Sequence, residues 1–244
     1  MTHGFYDIEG RERATGSAQA FMYLPGKALN VLRGLLQAYG TEKIKGYLWN
    51  IEFSRGRWDG LDKTPSDCVY QYIEKYSDIG SILDLGCGSG STGNELDATT
   101  YEHYTGVDIS DVAIAKARKR SEENRRADKN RYFQSDIFSY VPTRQYDVIL
   151  FRDSIYYVPS RKIKGMLDRY SKYLKRGGVF IVRMWNGNDK YRPIADTIES
   201  NFEVVERYLS DQPKAVVIVF SAGVLARALS CPERPPIAAN GENH

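Results

Sequence analysis

Residues 81–96 read SILDLGCGSGSTGNEL. Inside them lies GSGSTG (88–93), and Asp108 stands twenty residues beyond Gly88. That is the spacing of a dinucleotide-binding turn, in which a helix N-terminus receives a pyrophosphate and a carboxylate holds a ribose. The longer stretch carries a second register: Gly86, Gly88 and Gly90, with Asp84 two residues ahead. A carboxylate at Asp84 puts negative charge where backbone N–H groups would otherwise attract phosphate. It suits a ligand whose middle is cationic. Asp108 can accept from both hydroxyls of any adenosine ribose.

Outward from this turn, short apolar runs alternate with helix-length segments. SILDL (81–85), YTGVDI (104–109), RYFQSDI (131–137), YDVILF (146–151) and GVFIVRMW (178–185) read as strands. Ser110 and Asp111 cap a helix through Val112, Ile114 and Ala117. Pro159-Ser160 opens another, carrying Ile163, Met166, Leu167, Tyr170 and Leu174 and ended by Gly177-Gly178. The alternation predicts an α/β fold, a doubly wound, mostly parallel sheet with helices on both faces. FEVVERYL (202–209) and KAVVIVFSA (214–222) are divided only by SDQP, which predicts a C-terminal hairpin and one antiparallel strand on that sheet.

Ahead of the sheet, Leu29, Leu32, Leu35, Leu36 and Tyr39 recur at helical spacing from Pro25 onward, and Thr64-Pro65 starts a further helix. Residues 1–20 are polar. We therefore expect an N-terminal helical cap over residues 1–79, the α/β domain over 80–222 and a disordered tail over 223–244.

Composition narrows the classes. A chain of 244 residues suffices for one well-buried α/β domain with an appended cap. With 34 basic and 31 acidic residues, the net charge of +3 argues against a nucleic-acid partner unless it is locally concentrated. Three widely spaced cysteines, Cys68, Cys87 and Cys231, suggest neither disulfides nor a metal site, which points to a reducing cytoplasm. No run approaches membrane-spanning length, so no membrane partner is expected. Oligomeric state is not legible.

LDLGCGSG followed by GVDIS resembles the S-adenosylmethionine-dependent methyltransferases of the Rossmann-like class, whose first motif has an acid and then glycines at alternate places. The resemblance extends over roughly residues 80–222 and includes the terminal hairpin, which dehydrogenases lack. It implies S-adenosyl-L-methionine as cofactor, with Gly86, Cys87, Gly88 and Gly90 forming the loop under its methionine part, where a side chain would fill the space required. Asp84 would meet the ammonium, directly or through water, and Asp108 the ribose, with Ile109 on one face of the adenine. In QSDIF, Asp136 matches the acid that accepts from the adenine amino group, with Ile137 against the ring; the alternative is a turn-capping aspartate. FRDS would lie beneath the sulfonium, which makes Phe151, Arg152 and Asp153 candidates.

Methyl transfer from a sulfonium is an in-line displacement on an activated electrophile, so alignment dominates, with reacting atoms about 3 to 3.5 Å apart. His3 and His244 are terminal, and His103 precedes the second strand, at the far end of the sheet from the ligand. No histidine is placed as general base. Asp153, Glu52, Asp59 or a tyrosine remains to assist an oxygen acceptor. RDSIYY (152–157) stands where amino-methyltransferases of nucleic acids carry Asn or Asp, two prolines, then Tyr or Phe; here Ser154 and Ile155 replace both prolines. Asp153, Tyr156 and Tyr157 are the catalytic candidates, against the alternative of a turn cap and helix packing.

WNIEFSRGRWDGLD (49–62) precedes the core where this class places a cap. Trp49, Phe53 and Trp58 are expected over adenine or acceptor, and Arg57, with Arg55 as competitor, on the methionine carboxylate. Trp185, Asn186 and Tyr191 form a second candidate acceptor wall. The basic runs at 116–131 and 161–176 are diluted by acids and read as solvated helix faces. The expectation is a small-molecule N- or O-methyltransferase. The alternatives are an RNA or protein methyltransferase and a non-catalytic cofactor-binding module.

Overall fold

The computed structural model describes residues 26–56, 58, 67–187, 191–211 and 214–223. Helices α1 (Gly26–Tyr39), α2 (Glu42–Ser54) and α3 (Val69–Ser77) precede the sheet. Then follow β1 (Ser81–Leu85), α4 (Ser91–Glu95), β2 (His103–Asp108), α5 (Asp111–Glu123), β3 (Asn130–Gln134) and β4 (Tyr146–Arg152). A 3-10 turn (Ile155–Tyr157), α6 (Ser160–Ser171), β5 (Leu174–Trp185), α7 (Arg192–Asn201), β6 (Glu203–Asp211) and β7 (Lys214–Ser221) complete it. The expected polar N-terminus, the Thr64-Pro65 helix start, Arg57 and the C-terminal tail lie outside the described residues.

The strand order is β3-β2-β1-β4-β5-β7-β6. β1, β2, β3, β4 and β5 run parallel, and β7 is antiparallel to both β5 and β6. This is the expected doubly wound sheet with a terminal hairpin. All five residues of β1 are buried, because a central parallel strand is covered on both faces. Alternation along β4 then divides the core. Ile149 and Phe151 join Tyr170 and Leu167 under α6, while Val148 and Leu150 face Ile73, Ile114 and Ala117 under α3 and α5.

One sequence expectation gives way here. α6 ends at Ser171, and Gly177-Gly178 lies inside β5 rather than closing the helix. A Cβ on Gly178 would stand 2.9 Å from the Tyr146 carbonyl oxygen, so the pair permits close passage beside β4, where the register also shifts. On α1, which forms as the helical spacing predicts, Val31, Leu35 and Tyr39 are exposed while Leu32 and Leu36 are half-buried. Polar contacts tie the cap to the sheet. Lys116 Nζ donates to the Phe53 carbonyl at 2.9 Å, and the Ser110 hydroxyl donates to Asn50 Oδ1 at 2.7 Å.

Candidate functional site

Strand order reverses between β1 and β4, and ligands in open α/β sheets bind beyond the strand ends at such a switch. A cavity of about 240 Å³ lies there, lined by the loops after β1, β2, β3 and β4, with α2 above. Gly86 has φ +84°, and an added Cβ would lie 2.4 Å from Ser154 Cβ, so glycine lets the loops after β1 and β4 meet. Phe53 of α2 closes over the same turn: a Cβ on Gly88 would approach its ring to 3.4 Å.

Five carboxylates and three cations line the cavity among the described residues. Each cation has an acid. Lys45 pairs with Asp136; Arg152 donates to Asp67 Oδ2 from Nε at 3.2 Å and Nη2 at 2.9 Å; Arg183 pairs with Asp153. Burial raises the Asp67 carboxyl, but Arg152, Arg183 and the Val69 amide together pull it below its ordinary value. Asp84 and Asp108 have no cation of their own among the described residues. Asp84 Oδ2 accepts from the Tyr104 hydroxyl at 2.5 Å, while its buried Oδ1 has no hydrogen-bond donor among the described residues. Asp108 accepts from the Gly88 N–H at 3.0 Å and the Ser110 N–H at 2.9 Å. Burial lifts both carboxyls to about 6. The cavity thus holds two adjacent acids that a positive ligand would relieve.

The cap supplies an aromatic wall. Trp49 meets Tyr157 edge-on at 4.6 Å between ring centres, Trp58 at 6.0 Å and Phe53 at 6.3 Å. Trp58 Nε1 is a buried donor without a partner among the described residues. Burial, then Asp153, pushes the Tyr157 hydroxyl up to about 12, so it remains protonated.

Of the residues singled out from sequence, Asp84, Gly86, Cys87, Gly88, Asp108, Ile109, Asp136, Ile137, Arg152, Asp153, Tyr157, Trp49, Phe53 and Trp58 line this cavity. Gly90, at φ +79°, instead packs against Ala117 as α4 begins. Others go elsewhere. Phe151 is fully buried and packs edge-on against Tyr170 at 6.5 Å, because its position on β4 faces α6. Tyr156 does not line the cavity: its hydroxyl donates to Asp153 Oδ1 at 2.9 Å and accepts from the Trp185 N–H, which makes it a brace for Asp153. The second acceptor wall does not form. Trp185 is 48% exposed at the end of β5, Asn186 Nδ2 reaches Ser210, and Tyr191 packs on the core beneath α6 and α7.

Sequence reading missed Asp67, Lys45, Arg183, Gln37 and the hydroxyls of Ser89, Ser91 and Thr92 in the lining. Asp67 precedes a helix start and Arg183 lies in an apolar strand, so the one signal was a charge inside IVRMW. On α5, Arg118 and Lys119 of the basic run at 116–131 are exposed, as expected of a solvated helix face. Arg118, Arg126 and Lys129 donate to backbone carbonyls of Tyr132, Gly93 and Ala98 at 2.6, 3.1 and 2.7 Å. They clamp the loops around α4. His103 lines a separate surface recess with Arg144 and Lys175 at the opposite end of the sheet, as expected. Among the described residues, no helix is long and apolar enough to cross a membrane, and no His/Cys/Asp/Glu group could hold a metal ion.

Residues 83–180, from β1 into β5, match the pattern of a family described as "Methyltransferase domain". The sterol 24-C-methyltransferase ERG6B of Gibberella zeae is 29% identical over 111 residues, 45% of this chain and 29% of that protein. The mRNA cap guanine-N(7) methyltransferase of Schizosaccharomyces pombe is 31% identical over 109 residues, 41% of this chain and 30% of that protein. The chain therefore spans under a third of the length of these two relatives. Among solved structures, the magnesium protoporphyrin IX methyltransferase from Synechocystis PCC 6803 with bound SAM superposes with a TM-score of 0.54 at 16% identity, over 79% of this chain and 96% of that one. The N-methyltransferase NodS from Bradyrhizobium japonicum WM9, in complex with S-adenosyl-l-homocysteine, gives 0.56 at 17% identity, over 70% and 96%. At such identities the likeness is one of fold.

Proposed function

We propose that the chain carries a class I, Rossmann-like S-adenosylmethionine-dependent methyltransferase domain and that it methylates a nitrogen or oxygen of a small molecule. One observation carries the reading: of the five cavity carboxylates, the two without a cation are Asp84 and Asp108, on either side of the glycine turn. Two phosphates would be repelled there. A ligand with one ammonium and one carboxylate offers a donor to Asp84 Oδ1 and an acceptor to Trp58 Nε1, two of the buried atoms that lack hydrogen-bond partners among the described residues. The residues present therefore fit S-adenosylmethionine, which supplies a methyl group already activated on a sulfonium.

The protein's part is alignment and exclusion of water. Asp84 takes the ammonium, Asp108 the ribose hydroxyls, and Ile109 and Ile137 enclose the base. Trp49 and Tyr157 flank the acceptor, and Tyr157 donates its hydroxyl to it. Asp153, at φ +52° and fixed by Arg183, Tyr156 and the Trp185 N–H, accepts a hydrogen bond from the acceptor's N–H or O–H. An RNA acceptor is disfavoured because the basic residues of the 116–131 run that would track phosphates are engaged with carbonyls.

Calorimetry with S-adenosylmethionine and with NADH tests the cofactor, and a methyl-transfer screen over amines, sugars and phenols tests the acceptor. Tight binding of NADH with indifference to S-adenosylmethionine would sink the proposal. Turnover on capped RNA alone would replace the acceptor.

A further inference from the structure

The cavity runs along the carboxyl ends of the strands, from Asp136 after β3 to Arg183 on β5. Asp84 and Asp108 stand at the ends of β1 and β2, and on the proposed reading the cofactor lies across them. With neighbouring strands about 4.8 Å apart, the part beyond β4 and β5 is left for the acceptor. That part holds Asp153, Tyr157 and Arg183. Trp49 reaches it from α2: its ring lies 4.6 Å from that of Tyr157 between centres, with the two planes at 86°. Trp58 stands 6.0 Å from Trp49, its plane inclined by 43°. Three rings from three separate segments thus meet beside one carboxylate.

Charge selects what such rings hold. Five carboxylates and three cations leave the described lining with an excess of two negative charges. S-adenosylmethionine, with a sulfonium, an ammonium and a carboxylate, compensates one. Arg183 is paired with Asp153, and Arg33, which lies close enough to act on the Tyr157 hydroxyl, is paired with Glu52. Both cations near the rings are therefore already matched to carboxylates, and an anionic acceptor gains nothing from them. Aromatic faces attract cations, by about 2- to 30-fold in affinity as water is excluded. Burial also lifts the Asp153 carboxyl above its ordinary value, against the pull of Arg183, which makes it a better proton acceptor.

We infer that the acceptor is an aliphatic amine, held as a cation among the rings of Trp49, Trp58 and Tyr157 with its N–H on Asp153. The inference rests on the cofactor reading proposed above and narrows its acceptor to nitrogen. Asp153 takes a proton from the ammonium. The freed nitrogen lone pair forms the new N–C bond as the C–S bond breaks, and the electron pair of that bond stays on sulfur. Positive charge passes from the sulfonium to the nitrogen, where the rings receive it, and the proton leaves Asp153 for water. An alcohol or phenol ends neutral once its proton has left, and draws no such benefit from the rings.

Calorimetry on the complex with S-adenosylhomocysteine tests this with two probes of one shape, choline and 3,3-dimethylbutan-1-ol. They share a hydroxyl and differ in having nitrogen or carbon at the branch, so the difference between them reads the cation alone. The wild type should prefer choline by at least about tenfold. Trp49→Leu keeps an apolar side chain and removes a ring; it should shrink the preference by about threefold or more. Tyr157→Phe keeps its ring and should retain the preference, since the lost hydroxyl served both probes alike. Where Trp49→Leu fails to fold, Trp58→Leu serves. A wild-type preference below about twofold, no binding of choline, or an unchanged preference in the ring-deleted variant overturns the inference. If S-adenosylhomocysteine itself does not bind, the cofactor assignment has failed and this inference with it.

Discussion

On the proposed reading, Asp84 and Asp108 make cofactor affinity a function of pH. Both carboxyls sit near 6 in the free protein because burial disfavours their charged forms. A ligand that needs a carboxylate ionised must expel its proton below that value. Between pH 8 and pH 5, each group costs about a tenfold loss of affinity. On the proposed placement, with its ammonium at Asp84 and its ribose at Asp108, S-adenosylhomocysteine should bind about 100-fold more weakly at pH 5, while 5′-methylthioadenosine, which has no ammonium, should lose only about tenfold. Calorimetry across that interval reads both slopes. A flat profile, or equal slopes for the two ligands, refutes the reasoning. Without ligand the sign reverses. The folded value of each group exceeds its unfolded value, so each favours folding at low pH, and that stability is lost as pH rises through about 6. The loss is on the order of 3 kcal/mol per group. Thermal unfolding of the free protein should therefore show a higher Tm at pH 5 than at pH 7.5.

Three substitutions test other parts of the site. Asp153→Asn should leave S-adenosylhomocysteine affinity unchanged and lower kcat; normal turnover would remove Asp153 from the chemistry. Phe151→Ala opens a hole under α6 and should cost about 3–5 kcal/mol in denaturant unfolding, with ligand affinity unaltered in whatever fraction remains folded. Gly86→Ala forces a side chain into left-handed backbone and against Ser154. It should cost at least about 1–3 kcal/mol and abolish cofactor binding in a fluorescence titration.

The sheet was legible because its strands are short, apolar and separated by helix-length segments, and because SDQP leaves room only for a hairpin. The loops that line the cavity were legible because glycine spacing and strand-end acids are local signals. What failed was direction. Phe151 and Arg152 are neighbours in sequence, but strand alternation sends one under α6 and the other into the cavity. Tyr156 and Tyr157 divide similarly across one 3-10 turn. The Asp67–Arg152–Arg183–Asp153 chain joins four segments that only folding brings together, and Lys45 meets Asp136 across ninety-one residues of sequence.

β7 lies between β5 and β6 and is buried along its whole length after Lys214. The last strand of the sheet is therefore an interior one. On the ribosome, positions 180–185 of β5 stay without their neighbour until residues 215–220 emerge. Through that interval an apolar edge is open to other nascent chains. Stop codons placed before Lys214 should yield inclusion bodies and not a shorter working domain, however complete the cofactor loops upstream.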